Sequence, residues 1–458
     1  LTQLEKMRRY GFTYAELDRV KKETLAAYEK SYNERNTVRN IAHAQEYIRH
    51  YLDGSPIPGI KWEYEMIQQI LPMLNVDMLN QIAQQLVTDH NLIISFQAPE
   101  DENVVLPTEA EAIEMLAAVK NEAIEAPVEE EIRTTLVEDA PKAGKIRKTA
   151  YNEILGTTEW TLSNGVRVIV KPTEFKQDEI LFYATSLGGY SQVKTEDLPS
   201  ALLATDVVEL AGLADMNVTD LQKALTGKRV SLSPSIGGNS EGLSGSSTVK
   251  DLETLLQLNY LYFTAPRRDE ESYQTLMSIL ESQLANRDKN PKVAFNDSIQ
   301  MMTSNNSERT VIFTKELLEK VSLDKALEVY KARFANPADF TFFFVGNVNP
   351  EDSTFKAQVC QWLGGLKANK KKEKVVDHQV RVPLGKQQNY FTQKMEIKTA
   401  SNRIQYTSYS MPYTLANDLN MEMIGRILST RYLESIRERE GGSYGVGCSG
   451  TMEIVPVP

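Results

Sequence analysis

The sequence predicts a series of α+β domains arranged in tandem. Its 458 residues exceed what one ordinary hydrophobic core encloses, so the length indicates two or three domains. Alternating β-type runs flank the Asn164-Gly165 pair, a strong hairpin signal because both residues tolerate positive φ. A helix, a polar turn and an apolar strand at 322–352 recur at 75–102, a spacing that favours duplicated whole domains over a solenoid.

Residues 1–100 are rich in helix-forming sequence, and we interpret them as the C-terminal part of a preceding domain. Two helices are separated at Gly11, and Thr13 is placed to cap the second one. The segment also contains predicted helices at 37–52, 62–71 and 76–88 and a predicted strand at 92–96.

Residues 101–150 are dominated by Glu and interrupted by Pro107, Pro127 and Pro141, a composition typical of an acidic interdomain linker. One helix is predicted within this segment, at 109–124. The linker separates the first block of helices from the domain that follows.

Residues 151–375 form the next predicted domain, and residues 376–458 form the N-terminal part of a final one. Because neither the first nor the last block looks complete, we expect the chain to be a fragment, with the hypothesis that these two blocks pair with each other. The elements expected after the hairpin are strands at 179–186 and 341–345, helices at 199–213 and 249–264, a strand-like run at 405–409, a helix at 415–440 and a strand at 443–448.

Composition argues against several classes of protein. The formal net charge of −11 and the scattered lysines disfavour nucleic acid as a partner. The longest apolar stretch, Phe340 to Val348, is about half of what a membrane-spanning helix requires. Cys360 and Cys448 are too few for a disulfide framework, although one bridge between them remains open, and four histidines leave little material for a histidine-rich metal centre.

A helix-to-strand corner near the end of the chain carries the strongest candidate site. Arg437 lies in the last turn of a predicted helix, Gly441-Gly442 terminates that helix, and Tyr444 enters the next strand. Spacing alone leaves two interpretations open. A cation in a last turn is favoured by the helix dipole by about 0.3 to 1 kcal/mol, and a strand tyrosine often only packs. A guanidinium and a phenol are equally suited to donate to a developing negative oxygen.

The corner sequence REREGGSY, followed by SYGVG, resembles that of the pitrilysin and insulin-degrading zinc peptidases, and TEWTLSNGVRVIVKPTEF resembles the opening hairpin of that family. The resemblance implies α+β domains, each a mainly antiparallel sheet with helices on one face. It also implies that Arg437 and Tyr444 reach from the second half of the molecule into the zinc site of the first half, where they hold the peptide and its oxyanion.

The same resemblance predicts an inverted His-x-x-Glu-His zinc motif on the helix after the hairpin, because histidines at i and i+4 share one helix face. The matching positions here are Asp206, Glu209 and Leu210, and Leu210 has no atom that ligates a metal. We therefore expect the domain at 151–375 to bind no zinc.

A segment earlier in the chain matches part of this motif. His43 and Glu46 have the first spacing of the motif and His50 follows a turn later, but the histidine at i+4 is missing. A surface helix is therefore the better interpretation of this segment.

Two functional hypotheses follow. In the first, the intact polypeptide is a zinc metalloendopeptidase whose zinc lies in a missing N-terminal half, and this chain, inactive alone, supplies substrate-binding walls together with Arg437 and Tyr444. Its partners are that N-terminal half and a peptide substrate. In the second, the protein is a non-catalytic peptide-binding or assembly subunit of the same fold, a question that the upstream residues would answer. The family suggests a periplasmic or secreted bacterial location.

Overall fold

One seven-stranded sheet organises the middle of the chain. In the computed structural model of the protein, the described residues are 1–86, 92–98, 104–128, 133, 135–285, 287, 290–369, 371–390, 392 and 400–454. The strands are β1 (Ile146–Asn152), β2 (Thr157–Leu162), β3 (Arg167–Pro172), β4 (Ile180–Leu187), β5 (Val230–Ile236), β6 (Ser240–Ser247) and β7 (Thr341–Gly346).

The sheet has the strand order β1-β2-β3-β7-β4-β6-β5. Neighbouring strands run antiparallel except β3 and β7, which run parallel. The predicted α+β fold with a mainly antiparallel sheet is therefore confirmed.

Helices precede the sheet, connect its strands and follow it along the chain. A π-helical segment, Leu433–Arg439, directly follows the last of them. The α-helices are α1 (Thr2–Tyr10), α2 (Tyr14–Asn33), α3 (Asn40–Asp53), α4 (Ile60–Ile70), α5 (Val76–Leu86), α6 (Glu109–Asn121), α7 (Leu198–Ala201), α8 (Ala204–Ala211), α9 (Val218–Ala224), α10 (Leu252–Thr264), α11 (Glu270–Ala285), α12 (Pro291–Thr303), α13 (Lys315–Leu318), α14 (Leu323–Arg333), α15 (Ser353–Trp362) and α16 (Leu415–Tyr432).

The predicted hairpin forms between β2 and β3. Gly165 has a φ of 89°, and its N–H donates to the carbonyl of Leu162 at 3.0 Å. The Asn164 amide donates to the carbonyls of Leu363 and Leu366 at 2.8 and 3.0 Å. The turn residue therefore both closes the hairpin and ties it to the loop after α15.

Helices cover one face of the sheet, and the hydrophobic core lies between the two layers. α8 and α10 pack against β5, and α11 and α14 pack against α8. Side chains of β7 alternate, because Phe342 and Phe344 are fully buried while Phe343 lies on the opposite face and is partly exposed. Phe182 of β4 meets the Phe344 ring at a centroid distance of 5.2 Å. This aromatic layer fixes the centre of the core.

The first block of helices is attached to the sheet domain through α2. The predicted cap is confirmed, because the Glu16 N–H donates to Thr13 Oγ1 at 3.2 Å and the Glu16 carboxylate accepts from the Thr13 N–H at 2.7 Å. At the other end of α2, the Asn33 amide donates to Asp178 Oδ2 at 2.8 Å.

Three predicted strands are wrong. Residues 92–96, 405–409 and 443–448 are irregular, and Ile93 and Tyr406 are 90% and 93% exposed. An apolar run becomes a strand only where a neighbouring strand completes its hydrogen bonds. β7 has β3 and β4 on its two sides, whereas these runs have no such neighbours among the described residues.

Other boundaries differ more modestly. β1 begins at Ile146, inside the segment expected to be linker, and the helix expected at 199–213 is divided into α7 and α8. The long helix predicted at 415–440 is confirmed, with its last part π-helical. α16 makes no extensive contact with α1 to α6 in the described part of the chain, so the pairing of the first and last blocks is not supported. Among the described residues, no helix has the length and apolar character that a membrane span requires.

Candidate functional site

The helix at the position of the predicted zinc motif is α8. Its Val207 and Val208 are buried in the core, which leaves the other side of the helix for the three motif positions. Asp206 and Leu210 are exposed and Glu209 is half-buried. Leu210 presents an aliphatic side chain where a ligating nitrogen would be required.

Glu209 lies beside a group of phenols. Burial raises the pKa of Glu209, and the charge of Asp206 raises it further, while a hydrogen bond with Ser233 acts in the opposite direction. The pKa values of Tyr262 and Tyr330 are raised above the ordinary range, first by burial, with the Glu209 charge contributing to both. The Tyr330 hydroxyl donates to the Tyr262 carbonyl at 3.2 Å. Carboxyls and phenols without an imidazole do not fit the histidine-rich zinc site that an inverted motif builds.

No three His, Cys, Asp or Glu side chains come together as a metal site anywhere in the described part of the chain. On α3, His43 Nδ1 lies 4.0 Å from Glu46 Oε2, and the His50 ring donates from Nδ1 to the Ser55 carbonyl at 2.7 Å. These local contacts are those of a surface helix. Cys360 and Cys448 are both free thiols.

Arg437 lies in the π-helical segment that follows α16. Single π-helical turns are rare in proteins, and those that do occur are frequently found at functional sites. The Arg437 side chain is 43% exposed, and its Nε donates to Glu438 Oε1 at 2.7 Å. Gly441, at a φ of 61°, ends the helix, and Tyr444 beyond it is 93% exposed. Both candidate side chains are therefore accessible to a ligand.

The chain beyond this corner returns along α16. The Cys448 N–H donates to Ser429 Oγ, and the Ser429 hydroxyl donates to the Cys448 carbonyl, both at 2.7 Å. A Cβ on Gly425 would lie 2.6 Å from the backbone nitrogen of Gly450, so the absence of a side chain at Gly425 lets α16 and the returning segment, the two arms of this corner, pack closely. This close packing holds the arginine and the tyrosine at the same end of the pair of arms.

In the described part of the chain, neither α16 nor the π-helical segment after it makes extensive contact with α8. Among the described residues, no hydrogen bond or ion pair connects Arg437 or Tyr444 with Asp206 or Glu209. The motif positions on α8 belong to the sheet domain, whereas the arginine and the tyrosine belong to the segment after residue 376.

A third feature, the open face of the sheet, was not predicted. Leu181, Tyr183 and Leu187 of β4 are 50%, 48% and 50% exposed on this face, and the Tyr183 ring lies 6.1 Å from that of Phe343 on β7. Exposed apolar side chains that cluster in this way are typical of interaction surfaces. The signal in the sequence was the unbroken apolar runs ILFYA and FFFV, which place apolar side chains on both faces of a strand.

Comparison with known proteins shows what this chain is similar to. Residues 320–453 match the family described as peptidase M16 inactive domain. The zinc protease PQQL-like of Arabidopsis thaliana is 26% identical over 363 residues, which are 79% of this chain and 35% of that protein. The probable zinc protease PqqL of Escherichia coli is 23% identical over 469 residues, covering 100% of this chain and 48% of that protein. The resemblance to zinc peptidases is thereby confirmed.

The M16 match includes Arg437 and Tyr444 and leaves α8 outside it. The crystal structure of the periplasmic protease PqqL from Escherichia coli has a TM-score of 0.57 at 19% identity, covering 97% of this chain and 49% of that chain. At this identity the likeness shows the fold. This chain spans about half the length of the E. coli relative and about a third of that of the Arabidopsis one.

Proposed function

We propose that this chain is the non-zinc part of a zinc metalloendopeptidase and that it holds the peptide substrate for a zinc site located in an N-terminal half. The observation that carries the proposal is which residues occupy the motif positions on α8. A chain that resembles zinc proteases has Asp206 and Leu210 at the positions where ligating histidines are expected. The alternative, a non-catalytic peptide-binding or assembly subunit of the same fold, is less favoured because both relatives are named as zinc proteases.

Arg437 and Tyr444 are proposed to hold the peptide and to stabilise the oxyanion that develops on it. A guanidinium and a phenol hydroxyl donate hydrogen bonds, and neither has to transfer a proton to do so. Support comes from their exposure and from the π-helical turn that presents the arginine. The ion pair with Glu438 is local and exposed, so a substrate oxygen can replace it at little cost.

The open face of the sheet is proposed to form a wall of the substrate site. Tyr183 and Phe343 provide adjacent aromatic surface, with Leu181 and Leu187 on either side along β4. Such a face suits extended peptides that carry apolar side chains, because contact with it removes apolar area from water. We further propose a periplasmic location, supported by the likeness to the periplasmic protease PqqL.

Substitutions in the full-length protein test the clamp. Arg437→Ala and Tyr444→Phe are each expected to lower kcat/KM for a peptide by about 10² to 10³, the effect of removing one oxyanion donor, without changing the urea midpoint. Arg439→Ala, in the same π-helical turn, is the matched control and is expected to leave kcat/KM within about threefold. Unchanged turnover in both test variants would leave only helix-end stabilisation for this pair.

The chain by itself gives a second test. Purified alone, it is expected to contain less than stoichiometric zinc by atomic absorption and to cleave no fluorogenic peptide. Peptide cleavage by the isolated chain that survives a chelator would overturn the assignment of catalysis to another half.

A further inference from the structure

A short segment crosses the sheet domain on its way to the last block. We name residues 371–382 the strap. The Gln192 amide donates to the Lys374 carbonyl at 2.5 Å, and the Val376 N–H donates to Ser191 Oγ at 3.0 Å. The His378 ring donates to the Ser191 carbonyl at 2.8 Å. The strap is therefore fixed to the turn after β4.

A cavity of about 480 Å³ lies between the strap and the domain. This volume is in the range of about 300 to 1,000 Å³ that small-molecule sites occupy. Leu198, Leu202 and Val311 line it from the domain, and Val376 and Val380 line it from the strap. Its walls are thus apolar over a large part.

Arg309 contributes a positive charge to the cavity, and no carboxylate of the described residues neutralises it. Its Nη1 donates to the Val193 carbonyl at 3.0 Å and to Thr195 Oγ1 at 3.1 Å, and its Nη2 donates to the Tyr190 carbonyl at 2.8 Å. These acceptors are neutral, and within the described ranges no Asp or Glu oxygen lies within 4.0 Å of its guanidinium. Burial lowers the pKa of Arg309, as expected for a cation that has lost contact with solvent.

Two donors of Arg309 remain available for a ligand. Three of its five N–H groups make the bonds just described, which leaves the Nε–H and one Nη2–H without an acceptor in the part of the chain that the structure describes. Both are charged N–H donors, the kind of group that bonds carboxylate oxygens.

The other charged groups of the cavity leave this charge in excess. Arg381 is already neutralised by Asp377, with Nη2 to Oδ2 at 2.7 Å and Nη1 to Oδ1 at 3.0 Å. His378 is exposed and bonded to the domain. One net positive charge beside apolar walls suits a ligand that carries a single negative charge next to an apolar group. A phosphate would bring more negative charge than the site compensates.

We propose that the cavity under the strap binds a peptide carboxylate, with Arg309 as its counter-ion and the leucine and valine walls around the adjoining side chain. The carboxylate comes from a peptide C-terminus or from an acidic side chain. The choice of peptide rests on the proposed function, whereas the anion site rests on Arg309 and the cavity.

Calorimetric titration of the full chain tests the proposal with four probes. They are N-acetyl-Ala-Leu with a free carboxyl group, the same dipeptide as its carboxamide, N-acetyl-Ala-Asp carboxamide, and inorganic phosphate. We expect at least one carboxylate probe to bind about tenfold or more tightly than the carboxamide of Ala-Leu. The tighter carboxylate probe identifies the source, a C-terminus or an acidic side chain.

Two variants locate the binding. Arg309→Gln removes the charge, and Leu202→Trp fills the cavity while the charge and its hydrogen bonds stay. Each is expected to weaken the carboxylate probe by about tenfold or more, while Arg268→Gln, an exposed arginine paired with Asp324, leaves it unchanged.

Four results would overturn the proposal: no binding of either carboxylate, equal binding of the acid and its amide, tighter binding of phosphate than of both carboxylates, or unaffected binding in Leu202→Trp. This site and the proposed function can fail separately. If the chain binds carboxylates but Arg437→Ala leaves turnover unchanged, the proposed role of Arg437 is refuted and the carboxylate site at Arg309 stands.

Discussion

Replacing Glu241 by Gln is expected to remove a pH dependence of stability from the sheet domain. Glu241 is 2% exposed at the start of β6, and its Oε2 accepts from the Gly189 N–H at 2.6 Å. Burial raises its pKa from the ordinary 4.5 to about 7, opposed by the Gly189 bond and the Arg333 charge and assisted by Glu373. Arg333 forms an ion pair at 2.5 Å with Glu373, which belongs to the strap.

The sign follows from proton linkage. Between pH 4.5 and about 7, the folded protein keeps the Glu241 proton whereas the unfolded chain has lost it, so the unfolding free energy falls as pH rises. The contribution is fully present below 4.5 and absent above about 7. At 1.36 kcal/mol per pKa unit, the interval corresponds to about 3 kcal/mol.

Urea unfolding at about pH 4.5 and about pH 8 measures this difference. Trp160 and Trp362, 1% and 2% exposed, lie in the same domain and report its unfolding by fluorescence. The unfolding free energy of the wild type is expected to fall by about 3 kcal/mol more than that of Glu241→Gln between the lower and the higher pH, because a neutral amide carries no ionisation cost. Glu319→Gln, an exposed control, is expected to show no such difference from the wild type.

A variant-to-wild-type difference that is equal at both pH values would refute the reasoning. It would mean that Glu241 ionises in the folded protein as it does in the unfolded chain. The burial and the nearby Glu373 carboxylate would then have no effect on its proton.

Two further predictions concern stability alone. Phe342→Ala is expected to lower the unfolding free energy by about 3 to 5 kcal/mol because its ring is fully buried. Phe343→Ala, on the open face, is expected to lower it by about 1 kcal/mol or less. Equal losses in urea titrations would contradict the assignment of the core face. Thr13→Ala removes one half of the capping box of α2 and is expected to cost about 1 kcal/mol, with faster amide exchange in the first turn of that helix, while unchanged exchange would argue against the cap.

Local signals account for what was predicted correctly. The turn at Asn164-Gly165 and the cap at Thr13 depend on residues only a few positions apart, so the sequence specifies them directly. The identity of Leu210 is equally local, because its side chain has no ligating atom in any fold, and the expectation that this helix binds no zinc stays a prediction. Arg437 and Tyr444 were identified by a short motif, and their role stays a prediction.

The sequence by itself determined the α+β composition, the resemblance to zinc peptidases and the degenerate motif on α8. Tertiary structure decided which apolar runs became strands, because β7 has a neighbouring strand on both sides whereas residues 92–96 have none among the described residues. It also placed Glu241 against Gly189, 52 residues away, and placed Arg309 in the cavity beside the strap, with no carboxylate next to it among the residues that the structure describes. Burial and missing counter-charges depend on neighbours that are distant in the chain, and no local pattern encodes them.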